Sequence, residues 1–188
     1  MPPRRSRAAL LLVDVINDMA FPGSTRLVRQ AVPMARRLAR LKQRAHEAGV
    51  PAIYINDNFG KWRSDFRRLV SHCVHDDVPG RDVAKLLVPS EEDYFVLKPK
   101  HSAFFGTTLD TLLEHLGTRT IILTGIATNI CVLFSANDAY MRDYRLFVPS
   151  DCTVSNTRAQ TTYALKQMST VLKADTTPSS RLQLGRLR

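Results

Sequence analysis

Two hydrophobic periods alternate along the chain, one typical of buried strands and the other of amphipathic helices. The run AALLLVDV at 8–15 is almost entirely apolar and ends near an Asp, as expected of a strand buried on both faces of a parallel sheet. Similar short runs bounded by Gly, Pro or charged residues predict further strands. Together the predicted strands lie at 8–15, 51–57, 94–98, 119–125, 144–151 and 170–174.

Between these runs the apolar residues recur at steps of three and four, which predicts helices. The clearest helix is predicted at 33–48, with Pro33 in its first turn and Gly49 at its end. Its apolar stripe consists of Met34, Leu38, Leu41 and Ala45. Shorter helices are predicted at 63–71, 81–87, 107–116, 129–142 and 157–168.

Strands that alternate with helices predict an α/β fold of three layers, α/β/α, around a mostly parallel six-stranded sheet. We expect one domain over 8–175, a basic N-terminal tail at 1–7 and a mobile C-terminal tail at 176–188. In such sheets, functional residues cluster just beyond the carboxyl ends of the strands. The candidates at those ends are Asp14, Asp57, Lys98, Asp151 and the segment 125–131.

The formal net charge of +10 is concentrated at the two ends of the chain. The terminal arginines are Arg4, Arg5, Arg7, Arg181, Arg186 and Arg188. Basic tails of this kind indicate solvation or weak attraction to anions, and no zinc-finger, RRM-like or basic-zipper pattern accompanies them. We therefore predict no specific nucleic-acid partner.

No apolar run approaches the roughly 20 residues of a membrane span, so we predict no membrane association. The N-terminal segment MPPRRSRAALLLVDV resembles a signal peptide, but Asp14 interrupts its short apolar run and no small-residue cleavage site follows. We therefore expect a cytoplasmic location.

The sequence contains three cysteines, Cys73, Cys131 and Cys152. Their odd number, their long separations and the lack of a CxxC motif disfavour a disulfide framework or a structural zinc site and indicate a reducing compartment. Cys131 follows the predicted strand at 119–125, in the segment TGIATNICV.

The position of Cys131 suits a nucleophile. With Thr128 as the N-cap of the helix at 129–142, Cys131 lies in the first helical turn. There the helix dipole favours the thiolate, and unpaired backbone N–H groups can hold an oxyanion. A buried, inert cysteine that packs against the sheet explains the spacing as well.

Asp14 and Lys98 lie at the ends of the first and third predicted strands and supply an acid or base and a cation. A carboxylate at the end of an apolar run is costly to bury unless it is paired. Taken singly, Asp14 could form a local turn and Lys98 could be a solvated strand end. Together with Cys131 they predict attack on a carbonyl group.

The segments LLLVDVINDM, NDNFGKW, VLKPKHSAFFGTTLDTLLEHLG and IILTGIATNICVLFSANDAYMRDY occur in this order. Together they resemble the isochorismatase-like cysteine hydrolase family, which includes nicotinamidases and N-carbamoylsarcosine amidases. The resemblance implies a Rossmann-like fold and a catalytic triad of Asp14, Lys98 and Cys131. It also implies a cis peptide between Ile126 and Ala127, and an oxyanion hole made by the backbone N–H groups of Ala127 and Cys131.

Departures from the family pattern narrow the expected reaction. Nicotinamidases build a metal site from an Asp-x-His motif at the end of the second strand, whereas this chain has Asp57-Asn58-Phe59. We therefore predict no metal and no cofactor. Because Cys131 is present, cleavage of an amide or carbamoyl C–N bond is favoured. A vinyl ether hydrolase of the isochorismatase type and a non-catalytic binding protein of this fold are the alternatives.

The partner implied by the resemblance is a small-molecule substrate, and the chain is expected to form a homo-oligomer, a dimer or a tetramer. The segment 59–92 is expected to control specificity. Residues expected to border the substrate pocket are Asn17, Phe21, Trp62, Phe105 and Thr128. Trp62 is the only tryptophan and could stack on a flat substrate or fill a gap between helices.

Overall fold

The strands and helices alternate along a computed structural model in which residues 5–57 and 65–187 are described. The strands are β1 (Ala8–Val13), β2 (Ala52–Asp57), β3 (Tyr94–Lys98), β4 (Thr120–Ile126), β5 (Arg145–Phe147) and β6 (Thr153–Val154). The α-helices are α1 (Ser24–Glu47), α2 (Phe66–His75), α3 (Arg81–Leu86), α4 (Leu109–Leu116), α5 (Leu133–Tyr140) and α6 (Arg158–Val171). Among the described residues, no helix has both the length and the apolar character needed to cross a membrane.

The strands form one parallel sheet with helices on both faces, which confirms the predicted α/β architecture. The strand order is β3-β2-β1-β4-β5, and β6 pairs with β4. Because strand side chains alternate between the two faces, Leu10 and Leu12 of β1 join one hydrophobic cluster while Leu11 and Val13 join the other. Central β1 is therefore buried on both sides, as its continuous apolar run predicts.

The first helix is longer than the sequence pattern predicts. It begins at Ser24 instead of near residue 33, and Pro33 lies inside it. Leu27 and Ala31 extend the buried stripe toward the N-terminus by steps of four and three, so packing of this face outweighs the helical hydrogen bond that Pro33 cannot form.

The prediction of a strand at 170–174 is wrong. Helix α6 runs to Val171, and only Asp175 makes an isolated bridge to Phe147. The sixth strand is instead Thr153–Val154, which pairs with Gly125 and Ile126 of β4. A capping box between Thr157 and Gln160 stabilises the first turn of α6. The helix then continues through the β-branched residues Thr170 and Val171, which the sequence pattern assigns to a strand.

The C-terminal segment, predicted to be mobile, is packed against α1. Leu182 and Leu184 are buried in the hydrophobic cluster that contains α1. The Arg44 guanidinium donates hydrogen bonds to the carbonyls of Ser179, at 2.9 Å, and Leu182. The Asp151 carboxylate accepts from the Ser179 N–H at 2.7 Å. The prediction failed because a short segment without periodicity can still be fixed by long-range contacts.

One glycine allows the central strands to meet at the end of the sheet. Gly125 has a φ of +109°, and a Cβ there would lie 2.1 Å from the Val13 carbonyl oxygen. Only glycine fits this close approach. It brings the carboxyl end of β1 against that of β4, where the candidate residues lie.

Candidate active site

The side chains of Asp14, Lys98 and Cys131 converge at the carboxyl ends of β1, β3 and β4. The Lys98 ammonium Nζ lies 2.9 Å from Asp14 Oδ2 and 3.5 Å from Cys131 Sγ. These residues come from distant parts of the chain, and the parallel register brings them to one edge of the sheet. The structure therefore unites the three side chains that the sequence predicts.

Asp14 is aimed into the site by a sharp turn of the backbone. Its φ of 51° is left-handed, a conformation that Asp adopts more readily than most residues. The Asp14 N–H donates to the Ile55 carbonyl at 2.8 Å, and the Asp57 N–H donates to Asp14 Oδ1 at 2.8 Å. One carboxylate oxygen is thus held by β2, and the other pairs with Lys98.

Lys98 is a fully buried lysine, with 0% exposure. Its ammonium contacts two carboxylates, Asp14 and the more distant Asp57 at 3.5 Å. Burial disfavours the charged ammonium, but the charges of Asp14, Cys131 and Asp57 outweigh it and raise the pKa of Lys98. Lys98 is therefore a permanent cation in the site.

The turn that carries Cys131 differs from the predicted helix start. Residues Thr128–Val132 form a single π-helical turn, and the Val132 N–H donates to the Ala127 carbonyl at 3.2 Å. Thr128 does not act as a side-chain cap, because its hydroxyl is engaged with the Thr153 hydroxyl at 2.9 Å. The predicted N-cap is therefore wrong, and α5 begins only at Leu133.

The Cys131 thiol is not the depressed, thiolate-like group that the helix-dipole argument predicts. Burial, followed by the charge of Asp14, raises its pKa to about 12, although Lys98 acts in the opposite direction. Burial also raises the pKa of Asp14, against the lowering effect of Lys98. The Asp14 carboxylate and the Cys131 sulfur contact the same Lys98 ammonium, and the charge of Asp14 opposes ionisation of the thiol. The resting nucleophile is thus a thiol that shares this ammonium with a carboxylate base.

The segment before Cys131 contains a cis peptide between Ile126 and Ala127, as predicted. The Asn129 N–H donates to Ser155 Oγ at 3.2 Å, and the Ile130 N–H donates to the Ala127 carbonyl at 3.0 Å. The oxyanion hole formed by the N–H groups of Ala127 and Cys131 stays a prediction.

The predicted pocket residues occupy different environments. Asn17 is half-buried, and its Oδ1 accepts from the Met19 N–H at 2.7 Å. Phe21 and Phe105 are exposed. Thr128 is completely buried and supports the turn below Cys131 instead of lining an open surface. Trp62 lies outside the described residues, as does the first part of the segment 59–92.

Sequence reasoning gave no role to His101. Its Nδ1 lies 4.0 Å from Cys131 Sγ, and its ring packs against Phe134 with 5.4 Å between ring centres. The only signal in the sequence is that His101 follows Lys98 by three residues. Asp57 was placed at a strand end, but its contact with Lys98 was not predicted.

A metal site of the nicotinamidase type does not fit the residues at the end of β2. The carboxylate of Asp57 already lies against the Lys98 ammonium, and residues 58 and 59 are Asn and Phe instead of imidazole ligands. Within 5–57 and 65–187, no three His, Cys, Asp or Glu side chains are grouped so that they could hold a metal ion.

Comparison with known proteins gives a consistent result. The sequence model of the isochorismatase domain matches residues 8–177. An uncharacterized isochorismatase family protein of Bacillus subtilis, YaaI, is 42% identical over 174 residues, which cover 93% of this chain and 95% of that protein. The ureidoacrylate amidohydrolase RutB of Methylorubrum extorquens is 43% identical over 172 residues, covering 77% of this chain and 68% of that protein.

A solved structure extends the comparison to the fold. The N-carbamoylsarcosine amidase of Thermoplasma acidophilum superimposes with a TM-score of 0.70 at 27% identity. The superposition covers 94% of this chain and 99% of the amidase chain. The likeness therefore extends over nearly the whole of both chains.

Proposed function

The chain belongs to the isochorismatase family of hydrolases, and from this premise we propose that it is a cysteine-dependent hydrolase of small molecules. It cleaves the C–N bond of an amide, carbamoyl or ureido compound through a thioester intermediate, without a metal ion. The observation that carries the proposal is the contact of the Lys98 ammonium with both Asp14, at 2.9 Å, and Cys131, at 3.5 Å. The amidohydrolases among its relatives support C–N cleavage.

The first step is attack by the Cys131 sulfur on the substrate carbonyl carbon. Because the thiol pKa is raised to about 12, the thiolate is scarce at neutral pH, and proton removal must accompany the attack. Asp14 accepts this proton, since its carboxylate and the Cys131 sulfur contact the same Lys98 ammonium. The buried Lys98 ammonium stabilises the negative charge that develops on sulfur.

The second step is departure of the leaving nitrogen. The N–H groups of Ala127 and Cys131 hold the carbonyl oxygen as it becomes an oxyanion. Asp14 returns its proton to the leaving nitrogen, the C–N bond breaks, and ammonia or an amine departs. The acyl group remains on sulfur as a thioester.

Hydrolysis of the thioester restores the thiol. Asp14, now ionised again, removes a proton from water, and the resulting hydroxide attacks the acyl carbon. The sulfur leaves and recovers a proton from Asp14. One carboxylate thus serves as base and acid in turn, while Lys98 keeps its proton throughout.

Substitution of Cys131 by Ala tests the proposal. Ammonia release from a panel of small amides and ureides should fall at least about a thousandfold, because no other nucleophile contacts Lys98 and Asp14 in the part of the chain that the structure describes. Cys73→Ala is the matched control. Cys73 is fully buried in a hydrophobic cluster, and none of its described contacts is with Lys98 or Asp14. Turnover that survives in Cys131→Ala would overturn the nucleophile assignment.

Two further measurements separate the alternatives. Activity that survives exhaustive chelation supports metal independence, and activity lost on chelation and restored by zinc contradicts it. A vinyl ether hydrolase of the isochorismatase type needs no thiol, so its activity would survive in Cys131→Ala. If the protein is non-catalytic, the wild type will release no ammonia from any substrate. A homo-oligomeric assembly, dimer or tetramer, remains part of the proposal.

A further inference from the structure

The imidazole of His101 approaches the candidate nucleophile from a different environment than Asp14 and Lys98. Its Nδ1 lies 4.0 Å from Cys131 Sγ. Lys98 is completely buried and Asp14 is 7% exposed, whereas His101 is an exposed residue. The sulfur therefore lies between an ionic pair in the protein interior and an imidazole on the solvent side.

The segment that carries His101 is fixed to α5, the helix that directly follows the turn of Cys131. The Ala103 N–H donates to Ser135 Oγ at 2.9 Å, and the Ser135 hydroxyl donates to the Cys131 carbonyl at 2.6 Å. The Ser102 hydroxyl also donates to Asp138 of α5. Phe134 packs against the imidazole ring. The distance between imidazole and sulfur is therefore set by the fold.

This distance determines what the imidazole can contact during the reaction. When sulfur attacks, the carbon bound to it carries three substituents, each one bond farther from sulfur. A substituent that points toward the imidazole side of the sulfur comes within hydrogen-bond reach of a nitrogen 4.0 Å from Sγ. His101 is therefore placed to contact the reacting group of the substrate.

The identity of that substituent follows from the other contacts. One substituent is the oxyanion, held by the N–H groups of Ala127 and Cys131. Another is the leaving nitrogen, which must face Asp14 to receive a proton. The third, which stays with the acyl group, faces His101. In a carboxamide this substituent is carbon, whereas in an N-monosubstituted ureide R–NH–CO–NH₂ it is an N–H group that can donate to Nδ1 of the imidazole.

We propose that His101 determines specificity and selects N-monosubstituted ureides R–NH–CO–NH₂ over carboxamides. This inference rests on the function proposed above and names the substrate class of the same site. For a ureide R–NH–CO–NH₂, the S–C bond forms, the C–NH₂ bond breaks, and ammonia leaves with the proton taken from the thiol. Water then releases the carbamic acid R–NH–COOH and restores the thiol, and the acid decomposes to CO₂ and R–NH₂.

Matched substrates test the proposal. Each pair consists of a ureide R–NH–CO–NH₂ and the carboxamide R–CH₂–CO–NH₂ with the same R group. The ratio of kcat/KM for the ureide to kcat/KM for the carboxamide should be about tenfold higher in the wild type than in His101→Phe, the effect of one hydrogen bond between uncharged groups. His101→Phe keeps a ring against Phe134 but removes Nδ1, so the fall in this ratio measures the hydrogen bond and not the different reactivities of the two carbonyl groups. His101→Asn places an amide near the position of Nδ1 and should restore most of the ratio, whereas His101→Gln should not.

A control variant and the contrary outcomes complete the test. His115→Phe, at an exposed histidine of α4, should leave the preference as in the wild type. A ratio of ureide to carboxamide kcat/KM that is unchanged in His101→Phe would overturn the role of His101 while the proposed function stands. A wild type that releases no ammonia from any pair would overturn the proposed function and this inference together.

Discussion

Two ionic clusters flank the loop that follows β1, and they differ in burial more than in composition. In the inner cluster, Lys98 lies 2.9 Å from Asp14 and 3.5 Å from Asp57, and the lysine is fully buried. In the outer cluster, His72 of α2 lies 3.5 Å from Asp18 and 2.7 Å from Asp76, and its side chain is 43% exposed. Each cluster thus joins one basic side chain to two carboxylates.

The difference in burial decides what each cluster contributes. Loss of one partner from a buried ionic group leaves an uncompensated charge in the interior, whereas an exposed pair is replaced by water and salt. The inner cluster should therefore control both chemistry and folding. The outer cluster, with the hydrogen bond from the Gly80 N–H to the Asp18 carbonyl at 2.8 Å, helps to hold α2 and α3 against the loop.

Substitution of Lys98 by Met should produce the largest effect. It leaves Asp14 and Asp57 without their buried cation, so we expect a loss of about 3–5 kcal/mol in the free energy of unfolding, together with loss of hydrolysis. Urea titration and ammonia release measure the two effects. Lys166→Met, at an exposed lysine of α6, is the control. If the free energy of unfolding of Lys98→Met lies within about 1 kcal/mol of the wild-type value, burial does not make the inner cluster more important for folding than the outer one.

Substitution of Asp14 by Asn should separate the reactivity of the thiol from catalysis. Because the Asp14 charge raises the pKa of Cys131, its removal lowers that pKa and increases the thiolate fraction. Alkylation of Cys131 by iodoacetamide at pH 8 should become faster, while hydrolysis falls by about 100-fold or more without the proton acceptor. Slower alkylation in Asp14→Asn would contradict the assigned electrostatics.

Titration of the outer cluster should produce the smallest effect. Hydrogen bonding to Asp76 is the main cause of the raised pKa of His72, so the charged imidazole stabilises the fold. This stabilisation is complete below the unfolded value of about 6.5 and is lost as the pH rises through the higher folded value. The wild type should lose less than about 1 kcal/mol over that range, and His72→Gln should not show this loss. His75→Gln, at an exposed histidine of the same helix, should behave as the wild type.

The sequence predicted best what depends on local pattern. The bounds of β2 and β3 agree closely, and the three strand-end residues meet because parallel strands end at one edge. The predictions that were wrong concern features that depend on contacts between segments distant in the sequence. The C-terminal segment is held by Arg44 of α1. The thiol pKa depends on burial and on Asp14, which is far away in the chain. Likewise, no periodicity shows that His101 faces Cys131.

The reactivity of the Cys131 sulfur depends on Gly125, a residue that has no functional group of its own. Any side chain at this position would collide with the backbone of Val13, the residue just before Asp14. Even alanine would therefore wedge the two central strands apart and increase the separation of base from nucleophile. Conservative replacement, usually the mildest test of an enzyme, would here be as disruptive as removal of a catalytic group.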